Sequence, residues 1–221
     1  MADDHELVAD PGVVATWIKG WTLARETSPP VEDHGGFRVD VGWAQQRTRY
    51  VFPRISSAMR ELAATIAEPW VFVKACASPA AMRAALPARW AIQPPGFMME
   101  CRGVMTGEAA TPDGYLLDAT EPRSIAIVRA LAPGGELAAI GRVVRVGEFA
   151  IYDRIETDAA HRRRGLARAV MKKLESIARD QGASRGVLVA TADGRGLYEG
   201  LGWELHSLYT TAAIPPPNVT S

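Results

Sequence analysis

The stretch that most limits what this chain can become runs from Phe149 to Gly182. Phe149-Ala150-Ile151-Tyr152-Asp153-Arg154-Ile155 alternates like a strand. Arg162-Arg163-Arg164-Gly165-Leu166-Ala167 is a tight basic turn. Behind it, Leu166, Val170, Leu174 and Ile177 recur at spacings of four, four and three, one apolar face of a helix. Glu175 precedes Arg179 by one favourable turn, and Gly182 stands where the helix would stop. The chain therefore reads strand, glycine-bearing turn, helix. The first amides of a helix have no internal partner, and the helix dipole places partial positive charge there. A phosphate at that end collects several N–H bonds at once. Gly165 lets a ligand approach the backbone, and the arginines add forked donors. The same turn also fits a capped surface helix with a basic face.

The spacing excludes two familiar cradles. There is no G-x-x-x-x-G-K-[ST], and no G-x-G-x-x-G follows a strand. What stands is Arg162-x-x-Gly165-x-Ala167, which resembles the Q/R-x-x-G-x-G/A acetyl-CoA signature of the GNAT superfamily of N-acetyltransferases. Downstream, Gly186-Val187-Leu188-Val189-Ala190-Thr191 reads as a buried strand. Gly196-Leu197-Tyr198-Glu199-Gly200-Leu201-Gly202-Trp203 then resembles the family's LYE-x-LGF ending, with Trp203 for the usual Phe. The two motifs stand in the family's order, one helix and one strand apart. Residues from about 123 to 210 carry the resemblance.

The resemblance implies an α/β (α+β) fold: a mixed, mostly antiparallel sheet flanked by helices, here with an additional α/β amino-terminal half. Residues 1–105 would form that half, and 106–221 the acetyl-CoA-binding domain. It implies transfer of an acetyl group from acetyl-CoA, the co-substrate, to a primary amine by direct attack. The backbone from Arg162 through Arg163, Arg164, Gly165 and Leu166 to Ala167 would hold the diphosphate, with Arg168 close by. Arg163 and Arg164 fit a solvated basic face equally well. Ile155, Glu156 and Thr157 would pair with the pantetheine like an added strand. Tyr198 stands at the position of the family's general acid; a tyrosine packed at a helix terminus is the other reading. Glu156 is the candidate base. Asp153 is three residues away in the strand and is expected on the opposite face. A water chain stays open in their place. Thr191 stands where many members carry a cofactor-contacting Asn.

The rest of the chain sets bounds. Among 221 residues, 25 Lys and Arg balance 25 Asp and Glu, so a general nucleic-acid binder is not expected. This also counts against acylation of aminoacyl-tRNA. No run of eighteen apolar residues suggests a membrane span. The N-terminus, MADDHELVAD, lacks the apolar region of a signal peptide, so a cytoplasmic location is expected. His5, His34, His161 and His206 are scattered, so no metal is assigned. The acceptor would be a small-molecule or peptide amine, and a homodimer stays open. A non-catalytic acyl-CoA-binding regulatory module is the rival reading.

In the amino half, Asp10-Pro11 opens a helix with Val13, Val14, Trp17, Ile18, Trp21 and Ala24 on one face. Phe37 to Val41 and Arg47 to Phe52 form a hairpin, Met59 to Ile66 a helix, and Trp70 to Lys74 a strand. Ser78-Pro79 starts a short helix, and Phe97-Met98-Met99 is a further strand. Its aromatics fit core packing better than an acceptor pocket. Arg102 to Pro122 holds turn signals and reads as the boundary, with Tyr115 to Leu117 an edge strand. A meander of Ser124 to Leu131 and Leu137 to Val146 then leads to the basic turn. A GNAT domain usually carries two helices between its first and second strands. The carboxyl half lacks them, so either the amino half supplies that cover or it packs alongside as a separate unit; a degenerate second copy of the fold, without R-x-x-G-x-A, is one form it could take.

Overall fold

The computed structural model describes residues 8–108, 110–121 and 125–216. His5, and Ser124 at the head of the meander, lie outside them. The chain opens with α1 (Pro11–Arg25), where the Asp10 carboxylate accepts from Gly12 N at 2.7 Å. The strands β1 (Val31–Asp33), β2 (Gly36–Trp43) and β3 (Gln46–Phe52) form an antiparallel set that includes the expected hairpin. Capped by Ser56, α2 (Ser57–Thr65) crosses to β4 (Val71–Ala75), which runs parallel to β3. Then come α3 (Pro79–Ala85), β5 (Ala91–Ile92) and β6 (Gly96–Arg102).

The second segment repeats the plan. Its strands β7 (Leu116–Thr120), β8 (Ile125–Leu131), β9 (Leu137–Val146) and β10 (Phe149–Thr157) form an antiparallel meander. A 3-10 turn (Ala159–His161) and α4 (Leu166–Asp180) lead to β11 (Arg185–Thr191), parallel to β10. The chain ends in α5 (Ala192–Glu199) and β12 (Glu204–Ala213).

All twelve strands belong to one sheet, in the order β1-β2-β3-β4-β12-β6-β11-β10-β9-β8-β7, with β5 paired to β12. The two central strands are exchanged. Strand β6 lies against β11 along its whole length, and β12 pairs with β4. Each parallel β-helix-β unit is thus flanked by a strand from the other segment. Buried Glu100 of β6 accepts from Arg185 Nε of β11 at 2.8 Å and helps lock the exchange.

Alternate residues of the central strands serve opposite faces. Ala150, Leu188 and Ala190 pack with Leu166, Val170, Met171 and Leu174 of α4. Ile151 and Val187 pack with Val14, Trp17, Ile18 and Trp21 of α1. The carboxyl half has no helix pair between its first strands among the described residues. The amino-terminal α1 covers β9 and β10 instead.

Close approach of α1 depends on Gly20, where a Cβ would lie 2.3 Å from Ile151 Cγ1. An alanine here would gain about 1 kcal/mol in an isolated helix. Against Ile151 the sign reverses, because overpacking a core costs about 1–3 kcal/mol. Gly20→Ala is therefore expected to cost about 1–2 kcal/mol of stability, read as a lower urea midpoint at unchanged m. A raised midpoint would mean that α1 is not seated on Ile151.

The expected Glu175–Arg179 pair does not form. Glu175 is buried, accepts from Met105 N and pairs with Lys172 Nζ at 2.7 Å, while Arg179 donates to Gly103 O at 3.3 Å. The loop after β6 lies on this turn of α4, and its unpaired backbone groups draw the side chains away from the surface pairing.

Candidate active site

Strands β10 and β11 pair only from Phe149↔Arg185 to Ile151↔Val187. Beyond that they part, while β10 stays on β9 and β11 stays on β6. The result is a V between two parallel strands. On its β10 side lie Tyr152 to Thr157, and on its β11 side Leu188 to Thr191. A bulge between Asp153 and Glu156, with Arg154 at φ +52°, turns the β10 arm. Ile155, Glu156 and Thr157, expected to pair with a pantetheine chain, occupy this arm.

The V opens toward the start of α4. Asp158 caps the 3-10 turn through Ala160 N at 2.9 Å, and the chain then passes Arg163 at φ +62° and Gly165 at φ +82°. Gly165 is the residue before the first helical turn, and no side chain caps it. By contrast α1, α2, α3 and α5 each begin with a capping Asp, Ser or Thr. The first α4 bond is Ala169 N to Gly165 O at 3.1 Å, so the amides of Leu166, Ala167 and Arg168 have no helical partner. A Cβ on Gly165 would find only Pro112 Cγ, at 3.9 Å, so the approach is open. The residues present therefore fit a diphosphate: free amides, the helix dipole and exposed arginines converge there.

The arginines are partly tethered. Arg162 Nε donates to Thr157 O at 3.3 Å. Arg164 donates to Tyr115 Oη at 3.2 Å, and that hydroxyl also meets His161 Nδ1 at 2.9 Å. Arg168 donates to Gly200 O at 3.4 Å, linking α4 to the α5 turn. Thr191 caps α5 through Gly194 N at 3.2 Å, so this oxygen already accepts one bond.

Tyr198 lies on α5 and is buried, 6.0 Å from the Trp203 ring. Burial, and secondarily the Asp153 charge, push its phenol up to about 12. Asp153 is bound to Arg25 of α1 by two bonds, at 2.7 and 2.9 Å. Glu156 is exposed and borders a cleft with Leu137 to Ile140 and Asp158. The bulge removes the two-residue alternation on which opposite faces for these two carboxylates were expected.

Sequence reading missed a basic and aromatic cluster on the α1 face. Arg49 is buried with its guanidinium 3.7 Å from the Trp21 ring centroid, and Arg25 is 5.0 Å from the same ring. Burial first, then neighbouring Arg25, lowers the Arg49 pKa to about 10, against the opposing pull of Tyr209 and Asp153. Trp17 and Trp21 are core residues, as their spacing predicts, yet they also floor this cluster. The available signal was the lone cation Lys74 inside the apolar strand Val71–Ala75, and Arg49 beside the apolar end of β3.

Residues 96–203 match the model of the acetyltransferase (GNAT) family. That stretch, a little under half of the chain, is therefore an acetyltransferase (GNAT) domain, and acyl transfer is the chemistry of that family. Solved structures agree in fold. A GCN5-related N-acetyltransferase from Kribbella flavida superposes with a TM-score of 0.67 at 13% identity, covering 95% of this chain and 96% of its own. One from Sphaerobacter thermophilus gives 0.56 at 12% identity over 82% and 78%. A tandem GNAT protein from the clavulanic acid biosynthesis pathway gives 0.52 at 16% identity over 95% and 97%. A search of curated proteins finds no match. Among the described residues, no helix is long and apolar enough to cross a membrane, and no group of His, Cys, Asp and Glu has the make-up of a metal site.

Proposed function

We propose that the chain moves an acetyl group from acetyl-CoA to the primary amine of a small-molecule or peptide acceptor by direct attack, in the cytoplasm and without nucleic acid. The amine nitrogen attacks the thioester carbonyl, the carbon–sulfur bond breaks, and the amine proton leaves. In this reading the free amides of Leu166, Ala167 and Arg168 take the diphosphate. Ile155 to Thr157 offer strand-like partners to the pantetheine, and Tyr198 serves the departing sulfur. The amino half, residues 1–105, forms the acceptor side through α1 and its cluster. Glu156 or water accepts the amine proton, because Asp153 is engaged by Arg25.

The observation that carries this reading is the V between β10 and β11 ending at the one helix among the described residues that starts without a side-chain cap. Calorimetric titration of the intact chain with coenzyme A, followed by thiol release from acetyl-CoA with a panel of amines, tests it. Uptake of coenzyme A and amine-dependent thiol release are expected. Binding without release from any amine would leave a regulatory acyl-CoA-binding module. No binding would remove the cradle.

A further inference from the structure

Beside the end of β11, on the α1 face, lies a cavity of about 370 Å³. Its wall includes Lys74 of β4, Thr191, Asp193 in the first turn of α5, and Tyr209 and Thr211 of β12. Among the described residues, Lys74 and Asp193 are its only charged lining residues. Thr191 belongs to both this wall and the β11 arm of the V, so the cavity adjoins the V.

Lys74 lies deep in the molecule yet keeps surface open to the cavity. Its Nζ donates to Thr211 Oγ1 at 2.8 Å and lies 5.8 Å from the Tyr209 ring centroid. Among the described residues it has no carboxylate within ion-pair distance. The neighbouring charges do not help it. Arg49 of β3 is cationic and stacked on Trp21, Arg25 of α1 is cationic, and Asp153 of β10 is already bound twice by Arg25. The buried Tyr209 hydroxyl has no hydrogen-bond partner. An ammonium withdrawn from water without a counter-ion is strongly disfavoured. Burial first, then Arg49 and Arg25, accordingly drive the Lys74 pKa well below that of an ordinary amine. A carboxylate entering the cavity would supply the missing opposite charge.

We infer that this cavity binds the carboxylate of the acceptor through Lys74 and Thr211, so that the acetylated amine belongs to a small amino-carboxylic acid. This assignment of the acceptor rests on the acetyl-transfer reading; the carboxylate site itself does not. Asp193, the one acid on the wall, suits the ammonium end of such a molecule. The cavity lies at the small end of the roughly 300–1,000 Å³ typical of ligand sites, which favours a free amino acid over a peptide. An arriving anion favours the charged form of Lys74, so binding raises the proton affinity of that amine.

The test is calorimetry on the intact chain, with and without coenzyme A. The probes are paired: amino acids, and the amines that remain when their carboxylate is removed. Within at least one pair the amino acid is expected to bind roughly ten- to a hundredfold more tightly, the range of a charge-assisted hydrogen bond. Its heat should vary with the ionisation enthalpy of the buffer at the pH where the unliganded Lys74 titrates, reporting proton uptake. Lys74→Met, with the melting temperature as its folding control, should abolish both the preference and the proton uptake. Equal binding within every pair, or a preference that survives Lys74→Met, overturns the inference. If that variant fails to fold, the pairs and the buffer dependence in the unaltered protein decide alone. Carboxylate-dependent binding with no thiol release from any amine would sink the transfer reading and leave the carboxylate site standing.

Discussion

Replacing Ala167 by proline is expected to weaken coenzyme A binding by roughly ten- to a hundredfold while α4 stays folded. The reasoning starts from which hydrogen bonds α4 makes. Its first internal bond is donated by Ala169, so the Ala167 amide can be removed without breaking a helical bond. Proline is tolerated in the first turn of a helix for that reason. Ala167 is half-buried, and Leu166, which anchors the turn in the core at 1% exposure, is untouched. What the change removes is one of three free donors at the positive end of the helix. Hydrogen bonds to charged groups contribute about 1.5–3 kcal/mol, which sets the expected factor. Calorimetry with coenzyme A reads the effect, and circular dichroism checks the helix. Full affinity in a folded variant would place the diphosphate elsewhere.

How much of this was legible in the sequence depends on the distance between partners along the chain. The turn from Arg162 to Ala167 was readable because its strand, glycine and helix are consecutive, and each obeys a local period. The caps at Asp10 and Ser78 were readable because each side chain serves an amide two or three residues on. The central exchange was not, because β6 and β12 have ordinary strand patterns that name no partner. Nor was the Arg25–Asp153 pair, whose members lie 128 residues apart. Parity placed Asp153 and Glu156 on opposite faces, but a bulge is one extra residue with no compositional signature. Aromatic spacing correctly sent Trp17 and Trp21 to the core. It said nothing of the guanidinium groups that stack on Trp21, since those come from α1 itself and from β3.

Changing Tyr198 to phenylalanine should lower kcat by roughly ten- to a hundredfold, with coenzyme A affinity little altered. Positioned acids contribute roughly a hundred- to ten-thousand-fold in general. A factor at or below the foot of that span follows from the phenol itself. Burial and the Asp153 charge hold it at about 12. A thiol titrates near ~8.5, so full transfer of the phenolic proton to the departing sulfur is uphill by about 3.5 units, or about 5 kcal/mol. The phenol can therefore donate a hydrogen bond to the sulfur without surrendering its proton, and a charge-assisted bond of that kind contributes about 1.5–3 kcal/mol. The same raised pKa fixes the pH response. The neutral, donating form persists well above the ordinary tyrosine value near 10, so turnover should climb as the acceptor amine loses its proton and show no Tyr198-dependent fall below about pH 11. Phenylalanine keeps the packing against Trp203, so the melting temperature should barely move. Wild-type turnover in the variant would take Tyr198 out of the reaction. A fall centred near pH 10 in the parent protein and missing from the variant would mean that the phenol is far less buried than its place beside Trp203 requires.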